Sequence, residues 1–426
     1  LSQKIPPDGF KLGGFFFVQV VECEVQGKRC GGMTMSLILG LSIVILAVYL
    51  IALQQAIPTF HQLPICASTG TDRLPKISVM IPAFNEAENI AACVLSVLQS
   101  SSLPVQVLDV WVVDDQSTDA TLTILKTLQQ SLGDRRLNIL AGLPRPTDTI
   151  WRGKNWACAQ AAAQAKGEFL LFLDADVRLQ TGALITVIEA AIATQTDLMT
   201  CIPAVVCGSF IEWLVQPLMF INVLVSFNAA AVKNRQTETA YALGPFMLFR
   251  RATYDMIGGH QAVADQVAED VAFARRIKQD GFKLTHILGP NLVALRMYRS
   301  WSALWEGWTK CLYLGANRNL KTMLFLAIVM LMIYSVPWLG LVVALLQILT
   351  AGFTPLHLIT LSLAIGAIGL QYQIRLIGST ALFSSTNYWW LQSLSGILIA
   401  MIAIGSVIKT ETGWGLTWRG RHLGKV

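Results

Sequence analysis

Charge is scarce in this chain. Only 14% of its 426 residues are charged, while 54% are hydrophobic. An ordinary soluble domain carries about 25% charge, so a mean hydropathy of +0.54 excludes such a domain as the whole account. Histidine is rarer still, five residues standing far apart, and the eight cysteines include no Cys-x-x-Cys pair. Neither set has the spacing of a zinc site, and scattered thiols fit a reduced compartment better than a disulfide framework. Internal repeats and low-complexity segments are absent. The net charge is +6, but the basic residues form no stripe with interleaved aromatics, which argues against a nucleic-acid partner.

What the chain has instead is long apolar runs. Met35 to Ile57 is nearly uncharged and long enough to cross a bilayer, which takes about 20 residues. Three further candidates follow: Thr322–Leu349, Pro355–Gly378 and Tyr388–Ile408. Residues 75–319 between them have mixed polarity and suffice for one globular domain. Five parts are therefore expected: an N-terminal extension over 1–34, a span over 35–57, a catalytic-sized domain over 75–319, a C-terminal membrane region over 322–408 and a basic tail over 409–426. Residues 1–34 show no clear period and no secretory signal pattern, so the natural start is expected at Met33 or Met35. Lys310, Arg318 and Lys321 precede the C-terminal spans, and Lys409, Arg419, Arg421 and Lys425 follow them. Basic flanks favour the cytoplasmic side, which puts the globular domain there. Three full C-terminal spans would leave the basic tail on the wrong side. Pro355–Gly378, interrupted by Gln371, Gln373 and Arg375, is the segment suspected of not crossing.

Within the globular part, strand and helix alternate. Lys76–Ala83, Val105–Val113, Leu137–Ala141 and Glu168–Leu173 read as strands. Helices are expected up to Gln99, from Ala120 to about Gln130 behind a Ser117-Thr-Asp119 cap, over Asn155–Ala165, and over Asp265–Gln279. Such alternation implies a parallel sheet with helices on both faces. Phe210–Val232 is apolar but holds Glu212, Gln216 and Pro217. It reads equally as an amphipathic helix in the membrane interface or as a core helix.

Acidic motifs stand where those strands end: Asp114-Asp115-Gln116-Ser117-Thr118-Asp119, then Asp174-Ala175-Asp176, then Glu269-Asp270. Ligands of open α/β sheets bind at strand ends, and hard divalent cations take carboxylate oxygens. The set points to an enzyme handling a metal-bound nucleotide sugar. A turn is expected at Ala175, between Asp174 and Asp176. Adjacent Glu269 and Asp270 point about 100° apart on a helix, so only one can face a substrate.

These motifs, with Ile81-Pro82-Ala83-Phe84-Asn85-Glu86, resemble the family 2 glycosyltransferases with their GT-A fold, over about Ile77 to Lys310. Gly153-Lys154-Asn155-Trp156-Ala157, the segment Gly244–Gly259, Arg296-Met297-Tyr298-Arg299 and Trp418-Arg-Gly-Arg421 are similar to the membrane-bound branch that includes ceramide glucosyltransferases and carotenoid- and hopanoid-associated enzymes. The resemblance implies a Rossmann-like nucleotide-sugar-binding α/β domain flanked by membrane helices. It assigns Asp115 to the uracil N–H, with Pro82, Ala83, Phe84 and Glu86 lining the base pocket; Asp114 shares this role or caps the turn. Asp176 binds Mg²⁺ or Mn²⁺, and Asp174 holds sugar or ribose hydroxyls or a metal-bound water. Asp270 is the general base. Lys154 approaches the diphosphate or the acceptor, or merely begins a helix. Arg296 or Arg299 grips the diphosphate, or belongs with Trp301 and Trp305 to a basic, aromatic membrane flank.

The Gln-x-x-Arg-Trp motif of processive members is missing. The expected function is therefore transfer of one sugar from a UDP-sugar to a lipid hydroxyl on a carotenoid, hopanoid or ceramide-like acceptor. A processive polysaccharide synthase and a non-catalytic membrane scaffold with a relict transferase domain are the alternatives.

Overall fold

The computed structural model describes residues 30–64, 74–226, 240–415 and 417–422. The expected extension therefore lies outside the described residues up to position 29. So does the part of Phe210–Val232 beyond Ser226.

An eight-stranded sheet forms the centre, in the order β1-β10-β7-β9-β5-β2-β3-β4. Its strands are β1 (His61–Gln62), β2 (Ile77–Ala83), β3 (Leu108–Asp114), β4 (Leu137–Ala141), β5 (Phe169–Leu173), β7 (Leu198–Ile202), β9 (Phe246–Arg250) and β10 (Leu284–Leu288). β2, β3 and β5 are almost wholly buried apolar runs, as strands covered on both faces must be. The sheet is mixed rather than wholly parallel, because β9 runs antiparallel to both β5 and β7. Direction is invisible in a five-residue apolar run. A smaller sheet joins β6 (Val177–Leu179), β11 (Val293–Leu295) and β8 (Ala204–Val205).

The chain runs outward from β2 to β3 and β4, then crosses back to place β5 on the other side of β2. The crevice at the carboxyl ends of β2, β3 and β5 is thus a topological switch point, where open α/β sheets bind ligands. Beneath one sheet face, under the helices Gly153–Gln164 and Glu269–Gln279, lie Met80, Leu170, Phe172, Phe249 and Phe273. The core of the other face continues without a break into the long helices, through Leu46, Leu53, Ile221, Met330 and Ile399.

Among the described residues, four helical segments are long and apolar enough to cross a membrane: Met33–Thr59, Leu320–Ala351, Pro355–Ala381 and Trp389–Thr412. Leu37, Leu41, Val44, Leu339 and Leu346 point outward from them. An exposed apolar belt of this kind marks a membrane surface. The helix Phe210–Ser226 is a core helix, packed among the helices Cys30–Ala56, Pro355–Ala381 and Gln392–Thr412. Its polar residues have internal partners: Glu212 pairs with Arg296 at 3.0 Å, and Gln216 Oε1 accepts from Trp308 Nε1 at 3.0 Å.

Pro355–Ala381, suspected of not crossing, is a continuous helix. Its buried Gln371 accepts from Trp338 Nε1 at 2.9 Å and donates to Ile333 O at 2.5 Å, and Arg375 donates to Ser385 O at 3.2 Å. Just beyond this helix, Leu382 O accepts from Val205 N at 3.0 Å, and Arg421, beyond the last helix, meets Asp115. Both ends of the segment between therefore contact the globular domain.

Candidate active site

The site is assembled from the β2, β3 and β5 ends plus three helix starts. Ala83 and Asp114 are register partners at the ends of β2 and β3, which places Phe84 beside Asp115. The turns are tight. Asn85 and Gln116 adopt left-handed φ of 53° and 61°. Asn85 Oδ1 accepts from Thr118 N at 2.8 Å, and Asn85 N donates to Ser117 Oγ at 2.9 Å. Asp114 is buried and accepts from Ser117 N at 3.3 Å; it caps this turn and is not among the cavity residues. Asp119 accepts from Thr121 N at 2.9 Å and opens the following helix. Gly153 must lack a side chain, since a Cβ there would lie 2.7 Å from Asp115 Oδ2.

β5 ends at Leu173, and a turn over Ala175 and Asp176 precedes β6. Lys154, on the helix that starts at Gly153, bridges Asp174 at 2.7 Å and Glu269 at 2.8 Å. Burial alone would lower the Lys154 ammonium's pKa; the two carboxylates overcome it and hold it well above its usual value. Burial would likewise raise Glu269, and Lys154 reverses that, so Glu269 sits below the usual carboxylate range. Asp270, beside it, accepts from Gly244 N and from Val271 N, each at 2.8 Å. Burial, then the Glu269 charge, push Asp270 up to about 6.

Asp176 differs from the rest. Among the described residues its Oδ1 is buried and has no hydrogen-bond partner. Burial, then Asp174 and Glu86, push it up to about 8. A desolvated carboxylate oxygen without a donor, next to a second carboxylate, suits a hard divalent cation. No group of three or more such ligands is assembled among the described residues. Asp174 and Asp176 therefore fit a cation whose remaining ligands come from a substrate.

One cavity of about 1090 Å³ holds these groups. Pro82, Ala83, Phe84, Glu86, Asp115, Lys154, Asp174, Asp176 and Asp270 line it, and so do residues of two long helices, Ile45, Val48, Tyr49 and Ala52 on one, Phe325, Leu326, Val329 and Met330 on the other. Arg296 and Arg299 are not brought there. Arg296 is held by Glu212, while Arg299 donates to Asn89 Oδ1 at 2.6 Å and lies 3.8 Å from Glu88. The arginines that do line it are Arg145, Arg152 and Arg275, together with Arg419 and Arg421 in the hairpin of β12 (Thr417–Trp418) and β13 (Arg421–His422). The sequence offered one signal for the last two: a Trp-Arg-Gly-Arg run, whose two central residues suit a tight hairpin turn.

Residues 78–258 match the model of the family described as glycosyl transferase family 2. Those residues, less than half of the chain, are similar to the family 2 glycosyltransferases. The chain is 27% identical over 255 residues to the 4,4'-diaponeurosporenoate glycosyltransferase of Staphylococcus haemolyticus, over 59% of this chain and 65% of the relative. It is 29% identical over 279 residues to the enzyme of the same name from Staphylococcus aureus strain USA300, over 65% of this chain and 70% of the relative. The chain thus spans about two thirds of the length of these curated relatives. A mannosyltransferase from Pyrobaculum calidifontis, solved with GDP-Man and Mn²⁺, superposes with a TM-score of 0.51 at 18% identity, over 88% of this chain and 99% of that one. The fold is of the GT-A type, joined to long apolar helices.

Proposed function

We propose that this protein is a membrane-bound, inverting glycosyltransferase that moves one sugar from a UDP-sugar to a lipid hydroxyl of a carotenoid, hopanoid or ceramide-like acceptor. The observation that carries the reading is the single cavity. Its polar end has Phe84, Asp115, Asp174, Asp176 and Asp270, and its apolar end lies between helices long enough to span a bilayer. A soluble acceptor has no use for the second end. The Staphylococcus relatives, whose name gives a carotenoid acid as substrate, support the same acceptor class.

Phe84 offers a face for a base and Asp115 accepts from its N–H. Asp174 and Asp176 would hold Mg²⁺ or Mn²⁺, which neutralises the diphosphate when bound. Asp270 accepts the acceptor's hydroxyl proton as that oxygen forms its bond to the anomeric carbon. The bond from that carbon to the diphosphate breaks on the opposite face, UDP departs, and the configuration inverts. Lys154 holds Asp174 and Glu269 apart and fixed. The basic flanks Lys310, Arg318, Lys321 and Lys409 support a cytoplasmic catalytic domain.

The test is transfer of labelled sugar from UDP-sugars into a lipid extract of the host, with membranes carrying the protein, with and without chelator. Label in one organic-soluble product, lost with chelator, is expected. Label in a water-insoluble polymer would make the protein a processive synthase. No incorporation from any donor by folded protein would leave a scaffold.

A further inference from the structure

β12 and β13 pair antiparallel, Thr417 with His422 and Trp418 with Arg421. The two residues between them, Arg419 and Gly420, have φ of 48° and 82°, as a type I′ turn demands. Gly420 adopts this freely. Arg419 is held there: its N–H donates to Glu306 Oε2 at 3.2 Å, and its guanidinium pairs with Glu86 at 2.7 Å. Arg421 reaches further. It pairs with Asp115 Oδ2, donates to Asp115 O at 2.5 Å and to Gln116 O at 3.2 Å, and lies 3.3 Å from the centre of the Phe84 ring.

A guanidinium is flat, stacks on aromatic faces and donates N–H bonds. A nucleobase that stacks on Phe84 and donates to Asp115 needs the same ring and the same oxygen. Gly153 bounds the place from the other side, where a Cβ would lie 3.5 Å from Arg421 Nη1. We propose that the C-terminal hairpin is an internal competitor for the nucleobase: Arg421 occupies the Phe84–Asp115 pocket in the donor-free protein, and a nucleotide binds by displacing it. The inference rests on the reading of Phe84 and Asp115 as the base pocket.

One anchor of the latch lies outside the cavity: Thr417 Oγ1 donates to Glu306 Oε1 at 2.5 Å. Within the lining, Lys310 Nζ lies 3.8 Å above the Trp418 ring, which also meets Tyr298 edge-on. Apparent nucleotide affinity is then the intrinsic affinity reduced by the open fraction.

Calorimetric titration of UDP into the full chain in detergent with Mn²⁺ tests this, on wild type, Arg421→Ala, Glu306→Ala and Phe84→Ala, each checked by its thermal melt. Arg421→Ala is expected to lower the UDP Kd about tenfold, from the worth of one stacked, paired guanidinium. Glu306→Ala, which alters no cavity residue, is expected to lower it by a smaller factor, and Phe84→Ala to raise it. An unchanged or higher Kd in Arg421→Ala, with Phe84→Ala still weakening binding, overturns the latch and leaves the base pocket standing. UDP binding indifferent to Phe84→Ala overturns both.

Discussion

Asp270→Asn separates the two consequences of burying a carboxylate. Asp270 sits at about 6 rather than 3.8, chiefly from burial and then from Glu269, against Lys154 and the Gly244 and Val271 N–H donors. At about 1.4 kcal/mol per unit, this corresponds to at most about 3 kcal/mol of native-state cost for the ionised form. The sign follows from linkage. The native state binds this proton more tightly than the unfolded chain, so stability falls as pH rises from about 4 to about 6 and is flat above. Asparagine removes that cost but turns an amide towards two N–H donors where only its oxygen can accept, a loss of about 1–3 kcal/mol. The variant should melt at or slightly above wild type at pH 7.5, and lose any advantage at pH 4.5. Its transfer to a hydroxyl acceptor should fall by about 10²–10⁴-fold. In wild type, the rate should drop about tenfold per pH unit below 6, as the base is protonated. Labelled-sugar transfer and melting curves across pH 4.5–8 measure both. More than a tenth of wild-type transfer in the variant, or a flat rate from pH 7 to 5, would refute the role. A carboxylate acceptor needs no base and would give the flat profile.

Two further outcomes follow from the site. Asp176→Asn relieves a carboxylate that burial pushes up to about 8, so the metal-free protein should melt no lower than wild type, while Mn²⁺-dependent UDP binding weakens at least about tenfold. Mn²⁺-dependent binding that survives would remove Asp176 from the metal site. Val329→Trp narrows the cavity at its membrane end. It should lower kcat/KM for a long-chain lipid acceptor about tenfold and leave UDP affinity unchanged; equal losses in both would mean general damage.

The sequence was most legible where chemistry and strand geometry coincide. Asp115 and Asp174 each end an apolar run, and a run of that kind followed by acid has few other meanings in an α/β domain. Long-range partners were not legible. Arg296 stood next to an aromatic stretch, but Glu212, which holds it, lies 84 positions away in sequence. The polar residues that made Phe210–Ser226 look interfacial are satisfied inside the fold. The tail misled most: its arginines read as a membrane-surface flank because local sequence carries no mark of a contact 306 positions distant.

The shared wall between catalytic groups and long helices has a kinetic meaning. For an acceptor that arrives between those helices, the quantity that sets the rate is its mole fraction in the bilayer, not its molarity in the tube. Inert lipid added at constant acceptor molarity slows the reaction by surface dilution, while the donor, arriving from water, keeps its dependence on bulk concentration. In the proposed reaction the two substrates obey concentration scales of different dimension, one per area and one per volume.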